Sequence, residues 1–121
     1  MFRTFLAVVA IVAVAAPAGA AMTTGTFVTR ARALQAQGMA AVLNPDFQTL
    51  RGEAQAATQE LKADRAARQA AGKKPIACVP EGQSVGILEM LDGLDALSPA
   101  EKKMPLKDGY AHVLAKRFPC S

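Results

Sequence analysis

The sequence predicts an all-α fold: a small four-helix-type domain whose C-terminal helical hairpin is closed by one disulfide, preceded by an export signal. Three observations carry this reading. After the N-terminal segment, no stretch alternates apolar and polar positions over about six residues with β-branched filling, so strands have no signal. Apolar positions recur instead at steps of three and four, the spacing of one helix face. The only two cysteines, Cys78 and Cys120, flank the last pair of long helices.

The N-terminal segment has Arg3 as its one charge before an apolar run from Phe5 to Ala16. As a helix that run is about 18 Å long, short of the roughly 20 residues a bilayer-spanning helix needs. Pro17 breaks it, and Ala18-Gly19-Ala20 supplies the small residues a signal peptidase reads. Cleavage is expected after Ala20, with Ala21 as the alternative. No cysteine lies near the cut, so a lipid anchor is not expected, and the absence of twin arginines favours the general secretion route. Residues 1–20 thus read as a signal peptide and 21–121 as a single helical domain in the periplasm, with no stable membrane insertion after cleavage. Losing Arg3 lowers the formal net charge from +4 to +3. That is mildly basic and lacks the dense stripe of a nucleic-acid binder, so no nucleic-acid partner is expected. In an oxidising compartment, Cys78 and Cys120 most simply pair. The closed loop of about 43 residues corresponds to roughly 4 kcal/mol of stabilisation in the chain-entropy model.

Each element has its own signal. Thr24 is a good N-cap for a first helix reaching about Gln37, with Phe27, Ala31 and Leu34 on one face and Gly38 as a C′ residue. Met39 to Leu43 reads as a short apolar turn. Asn44-Pro45-Asp46 is a sharp helix start: a cap, a proline suited to the first turn, and a carboxylate at the positive end of the dipole. Phe47, Leu50, Ala54, Ala57 and Leu61 then form a narrow seam. This longest helix should stop at Gly72, and its second half has few large apolar residues and projects past the core. Pro75 and Pro80 make the following segment extended. Ser84 caps a third helix over Val85 to Leu94, with Ile87, Leu88, Leu91 and Leu94 expected inward. Ser98 and Glu101 have capping-box form around a short turn. Pro105 suits the first position of a last helix to Arg117, with Leu106, Tyr110, Val113 and Leu114 as its apolar stripe.

The catalytic inventory is poor. His112 is the only histidine, and Ser84 and Ser98, two of the three serines (the third is Ser121), read as caps. No G-x-S-x-G, phosphate-binding glycine loop, H-E-x-x-H or C-x-x-C is present, so neither an enzyme nor a cofactor is expected. Glu89, Asp92 and Asp95 lack the converging loop oxygens of a calcium site and read as a solvated helix face. The basic run Arg65, Arg68, Lys73 and Lys74 is the best candidate surface for a partner, since Arg65 and Arg68 share a helix face.

From Cys78-Val79-Pro80-Glu81-Gly82, through an apolar helix, to Phe118-Pro119-Cys120, the chain resembles the Rap/Tai-type immunity protein family, as a divergent member. Many members carry further cysteines in the N-terminal half, where this chain has none. The resemblance implies a small exported helical protein that binds and inhibits a peptidoglycan-cleaving amidase effector of type VI secretion. Two other readings fit the same composition. One is a periplasmic chaperone of the acid-stress type, loosened when its 10 carboxylates neutralise and its basic side chains repel. The other is an envelope protein without a discrete ligand. Oligomeric state is not encoded in any motif.

Overall fold

The computed structural model describes residues 22–121. The expected export segment and the expected cleavage point after Ala20 lie outside the described residues. The fold is helical: α1 (Thr24–Ala36), a 3-10 turn (Gly38–Leu43), α2 (Pro45–Ala70), α3 (Ile87–Asp95), the one-turn α4 (Pro99–Lys102) and α5 (Leu106–Arg117).

Local chemistry accounts for the boundaries. α1 starts one residue earlier than its sequence signal, because Thr23 is the cap: its hydroxyl accepts from the Thr26 N–H. Thr24 instead turns inward, fully buried. Its N–H donates to Met104 O at 2.9 Å, and its hydroxyl donates to the same carbonyl at 3.1 Å. Leu106 N–H donates to Met22 O at 3.0 Å, so the start of α1 is stitched to the start of α5. Pro105 therefore caps α5 rather than occupying its first position. Asn44 caps α2 through its side-chain oxygen, which accepts from Asp46 N–H at 2.9 Å. α2 ends in a Schellman turn: Gly72 has φ +69°, Lys73 N–H donates to Arg68 O, and Gly72 N–H donates to Gln69 O. The capping box at α4 is formed, with Ser98 and Glu101 each accepting from the other's backbone N–H.

The core gathers Phe27, Val28 and Leu34 from α1, Leu50 and Ala57 from α2, Leu91 and Leu94 from α3, Leu97, and Leu106, Tyr110 and Val113 from α5. Tyr110 meets Phe27 edge to face, with ring centroids 6.4 Å apart. Burial pushes the Tyr110 hydroxyl up to about 12. α3 and α5 run antiparallel: Gly93 lies against Val113, and Glu89 pairs with Arg117 at 2.8 Å.

The third helix departs from expectation in two ways. It starts at Ile87 with Gly86 as its cap, so Ser84 has no capping role. Ile87 and Leu88 also do not face inward; they are 87% and 61% exposed. The apolar stripe of α3 is real, but the core covers only its second half.

Candidate functional site

The described surface opens into a groove of about 1050 Å³. Its floor comes from Phe27, Ala31 and Leu34 of α1 and Tyr110, Ala111 and Leu114 of α5. One wall is α2 along its length, with Phe47, Leu50, Ala54 and Leu61. The opposite wall is the start of α3, with Ile87, Leu88 and Leu91, continued by Pro75, Ile76 and Val79 of the loop. The groove exists because α2 packs on α1 and α5 while the α3 side stands away from it.

The disulfide positions that second wall. Cys78 and Cys120 are bonded, with Cα atoms 5.0 Å apart. Beside the bond, Cys78 N–H donates to Phe118 O at 2.9 Å. The loop that closes the groove is therefore tied to the end of α5 by a covalent bond and a backbone hydrogen bond. The pairing expected from the sequence is present, and its role extends beyond the hairpin to the groove wall.

The candidate basic residues divide. Arg65 and Arg68 line the groove; Lys73 and Lys74 are exposed in the turn after α2 and do not. The Schellman turn keeps their backbone beside Arg68, whose guanidinium donates to Lys74 O at 3.3 Å, but neither lysine lines the groove. Two cations that the sequence reading missed, Arg51 and Lys62, line the groove as well. Lys62 was detectable in principle, one helical step before Arg65 on the same edge.

The electrostatics of this edge differ from those of the rest of the molecule. Arg30 pairs with Asp46 at 2.6 Å, Arg32 with Asp92 at 2.7 Å and Asp95 at 3.2 Å, and Lys102 with Asp95 at 3.4 Å. Lys107 pairs with Asp64 at 3.1 Å, Arg117 with Glu89, and both His112 and Lys116 with Glu101. The Arg30 guanidinium holds the Asp46 carboxyl below the usual range, and hydrogen bonds from Arg32 and Lys102 do the same to Asp95. Among the described residues, Arg51, Lys62, Arg65 and Arg68 have no carboxylate within ion-pair distance. The one carboxylate lining the groove, Asp64, is already taken by Lys107.

Glu89, Asp92 and Asp95, read from the sequence as a solvated face, are exposed, yet each reaches a cation on another helix. Their chemistry is that of inter-helix ties. Among the described residues, no group of three or more His, Cys, Asp or Glu side chains is placed to hold a metal ion, and no helix is long and apolar enough to cross a membrane. Comparison of the chain with protein-family models, curated proteins and solved structures finds no match.

Proposed function

We propose that this chain is an exported, non-catalytic binding protein that takes a protein partner in the groove between α2 and α3. The observation that carries the reading is the pairing of an apolar groove of about 1050 Å³ with a rim of four cations that have no carboxylate partner, while the ion pairs of the molecule tie its helices together elsewhere. Exposed apolar residues gathered in one concave patch and rimmed by charge are the usual form of an interaction site. Held rigid by a disulfide, such a groove gains affinity because little ordering is left to bind.

The resemblance through Cys78 and Phe118-Pro119-Cys120 gives this reading its specific form: the partner is a secreted peptidoglycan amidase, held inactive in the complex. The test mixes residues 21–121 with a type VI secretion amidase and follows peptidoglycan hydrolysis. Stoichiometric inhibition, lost in Ile87→Asp/Leu88→Asp, supports the reading. Full amidase activity in molar excess of the protein overturns it.

A chaperone of acid-stressed proteins is the second reading. It is favoured by the depressed Asp46, Asp95 and Glu101 carboxyls, whose protonation would release ties among the packed helices behind the groove. Aggregation of a client protein at about pH 2–3 that proceeds unchanged in its presence removes that reading.

A further inference from the structure

Resting on the reading of the groove as a protein-binding site, we infer that its occupant is an amphipathic helix carrying carboxylates along one edge. The two lips of the groove specify this shape and charge. On the α3 side the lip is apolar: Ile87, Leu88 and Ile76 are 87%, 61% and 44% exposed. On the α2 side it is cationic, with Lys62, Arg65 and Arg68 at steps of three residues and Arg51 further back. A segment lying between them needs an apolar stripe bordered on one edge by negative charge. A helix with apolar residues at three- and four-residue steps, and Glu or Asp one position to the side, has that pattern.

Length favours a helix over other occupants. From Phe47 to Arg68 the lining of α2 extends about 32 Å at the helical rise. The cations are spread over about 25 Å of it, from Arg51 to Arg68. A lipid gathers its charge in one headgroup and would leave most of that row unanswered. A second copy of this chain would bring the same four cations to the same lip and repel. The chain's own apolar segment, Phe5 to Ala16, has Arg3 as its nearest charge and carries no carboxylate. An acidic-edged helix answers the whole row.

The protein contains no tryptophan, so a tryptophan in a peptide probe reports on the peptide alone. The probe is a helical peptide of about 18 residues with a leucine stripe, one tryptophan in the stripe and glutamates along one edge; its control has lysines in their place. With residues 21–121, which contain the whole described core, the glutamate peptide should show a blue-shifted emission and a Kd at least about tenfold below that of the lysine peptide. The preference should shrink with added salt. Arg65→Glu/Arg68→Glu, on exposed positions, should leave the far-ultraviolet circular dichroism unchanged and abolish the preference, because the two new carboxylates cancel Arg51 and Lys62.

Equal binding of the two peptides, or an acidic preference that survives the double reversal, overturns the inference. Tighter binding of dodecyl phosphate than of the glutamate peptide assigns the groove to lipid and also overturns it. Refusal of the peptide by residues 1–121 but not by 21–121 assigns it to the N-terminal segment, with the same consequence. If neither peptide binds while Ile87→Asp/Leu88→Asp still abolishes amidase inhibition, the helix is wrong and the groove remains the binding site. An amidase left active by the unaltered protein is the separate failure of the functional reading.

Discussion

Gly109 and Gly52 are both exchangeable for alanine on paper, and the molecule treats them oppositely. At Gly109 in α5, an added Cβ would collide with the buried Thr24 side chain; at Gly52 in α2, it would meet nothing within 4 Å. The contrast marks two regions. Where α1, α3 and α5 converge, side chains are buried, small residues let helices touch, and carboxylates answer cations across elements. Along the groove-side edge of α2 and the loop that follows, most side chains are exposed and six basic residues, Arg51, Lys62, Arg65, Arg68, Lys73 and Lys74, lack carboxylate partners. Stability is concentrated in the first region. The second is held in place by the disulfide and the packing of the first half of α2, which leaves its surface available for binding.

The largest effect expected is on the link between the two regions. Cys120→Ala should lower stability by about 4 kcal/mol in the chain-entropy account of a loop with a separation of 42 residues. Denaturant unfolding of oxidised wild type against the variant measures it. Because Cys78 anchors the loop wall, hydrogen exchange should accelerate most between Pro75 and Gly86. A midpoint unmoved by reduction would show that the Cys78 to Phe118 hydrogen bond and packing suffice to hold that wall.

Next in size are small residues in the packed region. Gly109→Ala must displace Thr24, which is buried and bonded to Met104 O. Overpacking and disturbance of that hydrogen bond should together cost about 3 kcal/mol, against a gain of up to about 1 kcal/mol in helix propensity. Gly93→Ala should cost somewhat less, about 2 kcal/mol, since its Cβ would lie 2.7 Å from the Val113 Cγ1 methyl, and the α3–α5 contact can open slightly. Gly93→Ala combined with Val113→Ala should recover part of the loss. A double variant no better than the singles would place the strain elsewhere.

The division between regions also explains what was readable in the sequence. Asn44-Pro45-Asp46 and Ser98-Pro99-Ala100-Glu101 were legible because capping is local: the acceptor and the N–H it satisfies lie two or three residues apart. The disulfide was legible because the chain has only two cysteines. The inward placement of Ile87 and Leu88 failed because periodicity fixes which face of α3 is apolar but not how much of that face the core covers. The same failure hid the groove, whose mouth those two residues form. Arg32 with Asp92 and Asp95 was invisible for a related reason: the partners are 60 and 63 residues apart, and only the tertiary fold brings them together. Arg65 and Arg68 were found by their shared face, but Lys73 and Lys74 were grouped with them by adjacency alone, and past the turn at Gly72 they no longer line the groove.

Acid should act on the packed region and spare the groove edge. Hydrogen bonds from Arg30 to Asp46, from Arg32 to Asp95, and from the Ser98 backbone to Glu101 hold these carboxyls below their ordinary values. A carboxyl depressed in the folded state contributes stability above its unfolded pKa of about 4, and loses it as pH falls through the lower folded value. The melting temperature should therefore hold steady down to about pH 5 and fall below about pH 4. Asp95 is exposed and Asp46 and Glu101 are only half-buried, so solvent screens all three and salt should reduce the slope. A melting temperature that stays level well below about pH 4 would show that these ties contribute little to the fold.

The smallest effect has the opposite sign. Gly52 lies inside α2, seven residues after Pro45, in an exposed position with open space where a Cβ would go. Alanine there removes backbone freedom from the unfolded chain and costs the folded state nothing, so Gly52→Ala should raise stability by about 0.5–1 kcal/mol. The melting temperature of dilute protein measures it. The sign matters more than the size. A gain means that the face of α2 turned away from the groove is bare in solution. A loss that grows with protein concentration would mean that another copy of the chain packs against Gly52, and the contrast between a packed side and an open one would then hold only for the isolated molecule.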